Sequence, residues 1–294
     1  MIKYARVIQS ALASPWAILP EKLVEIRNFL LFRSAGGVFY SGSAIKRENR
    51  RAGNVSGVAV LPLVGTIIPR MNLFAESSGA VSLQRFTHMF RAAMADPAVG
   101  EIIIDVDSPG GQVTGVAELA DEIYQARGVK PVTAVAHGLA ASAAYWIASA
   151  AEKLVVTPTG EIGGIGVFAI HQDVSRALEH EGISVTLISA GKYKTEANPF
   201  EPLTPDARDA IQRRVDDYYN MFVTAVSVGR GVGFSDARDR FVQGRLVGAV
   251  EAVAIGMADE VATLDEVLQR HVGNNNGYNA EIEYRRRRLR AFSR

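Results

Sequence analysis

Apolar residues along the chain fall in short unbroken runs, separated by segments with helical periodicity. VAVLPLVGTI (58–67), EIIIDVD (101–107), PVTAVA (131–136), KLVVTP (153–158) and SVTLISA (184–190) read as strands buried on both faces, because they do not alternate apolar with polar. Between them, SLQRFTHMFRAAMAD (82–96) predicts a helix that Ser82 caps and that puts Phe86, Met89, Phe90 and Ala93 on one face. TGVAELADEIYQARG (114–128) predicts another, ended by Gly128. The third strand runs through His137-Gly138 into a helix, SAAYWIASAAE. A Gly-rich turn (160–166), the segment VFAIH and a helix DVSRALEHEG precede SVTLISA. The loop GKYKTEANPFEPLTP, a long helix over 206–229, a helix near 247–256 and a short strand near 258–262 complete the body. Alternating strands and helices of this kind predict an α/β fold with a largely parallel sheet flanked by helices.

The two ends differ from this body. SPWAILPEKLVEIRNFLLF predicts one amphipathic helix, with Leu23, Ile26, Leu30 and Leu31 at helical spacing. A Gly/Ser stretch (34–43) and the basic run KRENRR (46–51) follow and read as a flexible linker. The chain is therefore divided into an extension and linker (1–53), a body (54–270) and a basic tail (271–294). Charge follows the same division. Residues 1–53 hold nine basic and three acidic side chains, and residues 278–294 hold six Arg and two Glu. The stretch between them has 17 basic and 26 acidic residues, so a net charge of +1 hides an acidic body with basic ends. Such ends are expected to touch something the body does not. The Arg-rich tail reads either as a solvated terminus or as a contact with acidic protein or nucleic acid.

Composition narrows the chemistry. With 294 residues, 48% apolar and 21% charged, the chain can bury a sizeable core. It has no Cys, which excludes disulfides, a thiol nucleophile and Cys-ligated metal. Five scattered His leave little for a metal centre, and no cofactor is expected. Residues 131–151 carry no formal charge, yet their Pro, Ser, Thr, His and many Ala fit a buried strand and helix better than a membrane span. Charges interrupt 14–32, so it is not a signal-peptide core, and a soluble cytoplasmic protein is expected.

Three segments sit where strands end, the usual place for sites in open α/β sheets. In Asp107-Ser108-Pro109-Gly110-Gly111 a Gly pair allows unusual backbone conformations and close approach to two N–H groups, which together can stabilise an oxyanion; alone it equally reads as a plain turn. In the run from His137 to Trp146, Ser142 stands among tiny residues at the start of a helix, where by itself it reads first as a helix cap or packing spacer and only second as a nucleophile. A Ser nucleophile needs a base. His137, His88 and His171 form no familiar triad with it, so a Lys is the alternative, since desolvation can lower a Lys pKa by ~3–5 units. The segment from Ser189 to Phe200 offers Lys192 and Lys194 around Tyr193, although loop lysines are ordinarily solvated.

Taken in order, strand-SPGG-helix, AASAAYW and GKYKTEANPF resemble the signal peptide peptidase A (protease IV) family of serine peptidases, from about Val55 to Leu268 and including GRLVGAVEAVAIGMADEV. The resemblance implies the Clp-protease/crotonase-like fold and a Ser–Lys dyad. It matches Ser142 to the nucleophile, Lys194 to the general base, and Gly110 and Gly111 to the oxyanion hole, with the Ala143 N–H as a secondary donor. Two departures stand out. Ala143 and Ala144 replace glycines common in the family, and Gly164 replaces a Ser whose hydroxyl helps orient the Lys, leaving Ser189, Thr195 or a water for that task.

The segment SPWAILPEKL is similar to the start of the phage branch, the head maturation proteases of tailed bacteriophages. That likeness implies cleavage of scaffold, portal or capsid polypeptides within the prohead, no membrane anchor, and a homo-oligomeric ring whose neighbouring subunits complete each site. Substrate is expected to bind extended against a strand edge, with small side chains near the cut. Three other readings stand beside it: a host cytoplasmic peptidase of the same family, crotonase-type acyl-CoA chemistry on the same fold, and a silent scaffold- or portal-binding structural protein.

Overall fold

The computed structural model describes residues 15–26, 53–55, 57–70 and 79–272. The linker expected at 34–53 falls outside these except for its last residue, as do Leu30, Leu31 and all of the tail beyond 272. In chain order the elements are β1 (Trp16–Ile18), α1 (20–26, as far as described), β2 (Gly53–Val55), β3 (Val58–Val64), β4 (Ile67–Ile68), β5 (Val81–Ser82), α2 (Leu83–Ala95), β6 (Glu101–Ser108), β7 (Gly110–Gln112), α3 (Val116–Ala126), β8 (Val132–Ala141), α4 (Ala143–Ser149), β9 (Lys153–Val156), β10 (Glu161–Gly163), α5 (Ser175–His180), α6 (Pro205–Arg230), α7 (Phe234–Asp239), β11 (Leu246–Gly248), α8 (Ala249–Ala254), β12 (Glu260–Val261) and α9 (Leu264–Val272).

The main sheet runs β11-β10-β8-β6-β3-β2, with β9 beside β8 and β12 beside β9. Every pairing among β3, β6, β8, β9, β10 and β12 is parallel; β2 and β11 join antiparallel at the edges. This is the expected α/β architecture, and it is covered on both faces. Ile102, Ile104 and Val106 of β6 enter the large core with Phe86, Phe90, Leu119, Ile123 and Trp146. Ile103, with Val58, Val135 and Val155, turns to the other face under Val267 and Leu268 of α9. Alternating residues of one strand thus feed two cores, which is why the run shows no polar alternation.

Several elements differ from expectation. VAVLPLVGTI is two strands: β3 lies in the main sheet, and β4 belongs to a small sheet ordered β1-β7-β4-β5. β8 does not turn at His137-Gly138. Its first half pairs with β9 and its last three residues with β10, after a register shift against β6 between Val106 and Ser108. Trp16–Ile18 is a strand rather than part of a helix; the helix begins at Pro20. SVTLISA forms no ladder. It is exposed, with Val185 at 42%, Leu187 at 43% and Ile188 at 96%. An apolar run marks what a strand must bury, not where its partner lies, and no partner for this one is among the described residues. No residue from 166 to 206 is buried; Val167 and Phe168 pack half-buried against the core clusters, and the rest of the arm adds no buried residue to them. Among the described residues no helix is long and apolar enough to cross a membrane.

The cap expected at Ser82 forms, and Thr204 supplies one not foreseen, a residue ahead of the long helix Pro205–Arg230. Ser82 Oγ accepts the Arg85 N–H (3.2 Å), and Thr204 Oγ1 accepts the Ala207 N–H (3.3 Å). Arg127 was not foreseen. Its Nε donates to the Ala150 carbonyl (2.9 Å), and its Nη2 reaches the carbonyls of Ser149 (3.3 Å), Ala151 (2.6 Å) and Gly229 (2.8 Å). One guanidinium therefore closes the carboxyl ends of α4 and α6. Gly229 permits this approach, since a Cβ there would lie 2.3 Å from the Ser149 carbonyl oxygen. Trp146 stacks on Phe222 at 4.6 Å between the same two helices. Arg127→Met leaves these carbonyls without their donor and is expected to cost about 3 kcal/mol; an unchanged urea midpoint would contradict this.

Arg230 binds Asp259 through two bonds (2.9 and 2.6 Å), and Asp259 Oδ2 also accepts the Leu154 N–H (2.7 Å). Burial alone would raise this carboxyl, but the Arg230 and Leu154 hydrogen bonds outweigh it and hold it below the usual range. A depressed folded-state value gives stability that is complete above the unfolded value of ~3.9 and is lost as pH falls through the folded one. Asp259→Asn should therefore flatten the acid limb of a Tm-against-pH curve below about pH 4.

Candidate active site

β8 delivers Ser142 to the edge of the main sheet, and α4 leaves from it. All seven residues of α4 are buried. Ser142 itself is 2% exposed and has φ 55° and ψ −119°, a conformation rarely tolerated by a residue with a Cβ. Its N–H donates to the Gly163 carbonyl (2.7 Å), and its carbonyl accepts the Trp146 N–H (2.9 Å). The capping role is not what the hydroxyl performs, because its side chain makes no cap bond. Its partner is the Gly166 carbonyl at 3.4 Å, a long contact. A strained strand-to-helix turn with a loosely held hydroxyl resembles the geometry of a nucleophile elbow.

Gly110 and Gly111 separate in role. Gly110 has φ 95°, and a Cβ there would lie 3.0 Å from the Ala143 nitrogen and 2.9 Å from the Ala141 oxygen, so its backbone stands against the Ser142 turn. Its N–H donates to Ser108 Oγ at 3.2 Å. Gly111 lies within the small sheet between Ala17 and Ile67. Ala143, as the first residue of α4, has an N–H without an intrahelical acceptor. Gly110 and Ala143 therefore face one another beside Ser142, and Gly111 is one step removed. The alanines at 143 and 144 are not among the residues with positive φ, so Ala is accepted there without strain.

Gly164, where a Ser had been expected, has φ 67°, and its missing Cβ would sit 3.1 Å from the Ser142 nitrogen. Lys194 is not brought to Ser142. It lies exposed in the turn after the unpaired 184–190 stretch, and among the described residues no hydrogen bond joins it to Ser142. Lys192 stands over the Tyr193 ring at 4.8 Å. Sequence reasoning gave His137 no orienting carboxylate, yet its Nδ1 lies 3.2 Å from Oδ1 of Asp105, which is 2% exposed. Neighbouring parallel strands were the signal: Asp105 pairs in register with Val135, and His137 lies two residues further along β8. Among the described residues no group of three or more His, Asp or Glu could hold a metal ion.

A parallel α/β sheet carries a strained Ser at the end of one of its inner strands with a Gly-lined turn against it, and residues 125–275 match peptidase family S49. The chain belongs to that family of serine peptidases. It is similar to capsid assembly protease C of Escherichia phage lambda, 34% identical over 222 residues, covering 76% of this chain and 50% of that protein. The head-tail preconnector protein GP5 of Enterobacteria phage P21 is 34% identical over 223 residues, 76% of this chain and 44% of that one. A putative protease of Methanocaldococcus jannaschii is 30% identical over 187 residues, 64% and 60% respectively. The chain spans about half the length of the phage relatives it matches.

Gly164→Ala tests how tightly the Ser142 turn is held. A positive φ and a Cβ 3.1 Å from the Ser142 nitrogen should lower stability by ~1–2 kcal/mol. Labelling of Ser142 by a fluorophosphonate should slow in parallel, and an unaffected labelling rate would mean that the turn does not position the hydroxyl.

Proposed function

We propose that the protein is a serine endopeptidase with a Ser142–Lys194 dyad, and that it cuts scaffold, portal or capsid polypeptides as a phage head matures. The observation that supports this best is the backbone of Ser142, whose φ of 55° stores strain at an uncapped hydroxyl. The two phage relatives, one of them a capsid assembly protease, support the setting.

In this reading Ser142 attacks the peptide carbonyl and its proton passes to the Lys194 amine. The oxyanion is received by the N–H groups of Ala143 and of Gly110, which exchanges Ser108 Oγ for it, while Gly111 keeps the strand straight. Each such donor contributes about 3–4 kcal/mol. Lys194 then returns the proton to the leaving amine, and water releases the acyl group. Because Lys194 lies exposed on an arm without buried residues, the dyad closes when a second copy of the chain docks against that arm. The 184–190 stretch, with Ile188 96% exposed, is the surface such a copy would cover. Docking withdraws the amine from water and places it beside the neighbour's Ser142. The same assembly is expected within the prohead, with the basic tail directed at an acidic partner.

Ser142→Ala and Lys194→Ala should each lower cleavage of a co-expressed scaffold protein by ~10³-fold or more. Mixing the two inactive variants should restore roughly a quarter of wild-type activity if neighbouring copies share the dyad, since each contributes the group the other lacks. Activity retained in either variant would sink the dyad; two dead variants that stay dead when mixed would place it within one chain.

A further inference from the structure

Residues 15–19 run as the middle strand between two segments that flank Ser142. On one side β1 pairs antiparallel with β7, Trp16 opposite Gln112, Ala17 opposite Gly111 and Ile18 opposite Gly110. The Leu19 N–H donates to the Pro109 carbonyl (3.1 Å), and the Val113 N–H to the Pro15 carbonyl (3.4 Å). In an antiparallel ladder hydrogen-bonded pairs alternate, so these two bonds make Ala17 and Gly111 the bonded pair between them. On the other side the Trp16 N–H donates to the Phe168 carbonyl (2.9 Å) and the Phe168 N–H to the Trp16 carbonyl (3.0 Å). Continuing that register by two residues brings Ile18 level with Gly166, whose carbonyl takes the Ser142 hydroxyl. Ile18 also faces Gly110, which stands against the Ala143 nitrogen. The segment thus lies across the mouth of the candidate site in the posture of a bound peptide.

The side chains indicate an occupant rather than a foundation. Trp16 and Ile18 are 3% and 4% exposed, but they form a separate cluster with Leu23, with Ile26 and Phe168 packed against it. Ala17 alone joins the large core; it is fully buried, and its carbonyl oxygen lies 2.2 Å from where a Gly110 Cβ would be. Removing the strand would leave β7 and the 166–168 segment as two facing edges with unpaired main-chain groups, which bind any extended chain of suitable side chains.

We propose that residues 15–19 are a built-in occupant of the slot between β7 and residues 166–168, one that must leave before an outside strand can enter. The groove takes a small residue where Ala17 sits and a large apolar residue on each side of it. This deepens the peptidase reading by naming what the site admits, and it rests on that reading only in making the occupant a shield over Ser142. An outside peptide binds in proportion to the fraction of molecules whose own strand has left.

The test uses the full-length Ser142→Ala chain and a fluorescein-labelled SPWAILP peptide, so that no catalysis is required. Adding Ala17→Pro removes the N–H bonded to Gly111 and should tighten peptide binding at least tenfold. Ile18→Ser, which disturbs only the separate cluster, should act in the same direction and serves if the proline variant does not fold. In both, amide exchange should rise at 110–112 and at 168 and fall again when peptide is added. Folded variants that bind no more tightly than the parent, or a bound peptide that leaves those amides unprotected, would overturn the proposal. Tighter binding supports the occupant whether or not the peptide is cut, so failure of the dyad is read separately, from scaffold cleavage by the Ser142→Ala and Lys194→Ala variants.

Discussion

The structure depends on holding one residue in a conformation it would not choose. Ser142 carries a positive φ at the junction of β8 and α4, and such a backbone costs of order 1–3 kcal/mol unless its surroundings leave no alternative. Those surroundings are on both sides. Ahead of it, β8 is fixed by β6 and by two successive neighbours. Behind it, α4 is buried along its whole length, stacked through Trp146 on Phe222 and tied through the Tyr145 hydroxyl to the Met257 carbonyl (3.0 Å). The Tyr145 phenol is pushed far above its usual range by burial, so it stays a neutral donor. The packing around α4 thus bears directly on the backbone of Ser142.

Much of this was legible in the residues. Apolar runs located the central strands, and Ser82 and Gly128 marked helix ends where they occur. What sequence left open at Ser142 was conformation: AASAA is equally the start of an ordinary capped helix, and only backbone angles separate cap from elbow. The misreading of Trp16–Ile18 has a plain cause. Apolar spacing over 16–31 fits a helix, and Pro20 is a competing signal within it. Proline suits the first turn of a helix and biases the preceding residue toward extended backbone, so it marks the point where strand gives way to helix. Arg127 left no trace because its partners are main-chain carbonyls up to 102 residues away, and no side-chain pattern reports them.

The arm from 166 to 206 is the part of the chain that sequence and structure describe most differently. Its periodicity promised a strand and a helix packed like the others. In the single chain the strand has no ladder, and α5 is reduced to Ser175–His180 with no buried residue. Consistency across levels fails here, and such failures mark segments whose physical partner is elsewhere. The candidate base is carried on this segment, while the candidate nucleophile is carried on the best-packed helix of the molecule.

The guanidinium of Arg127 gives that contrast a mechanical meaning. By gathering the carboxyl ends of two helices onto one planar cation, it prevents them from sliding past each other, and Gly229 leaves no gap to take up slack. The block behind the candidate nucleophile behaves as an anvil, and large-amplitude motion falls to the poorly packed arm. A partner that stiffens that arm would set the tempo of the chemistry without deforming the anvil at all.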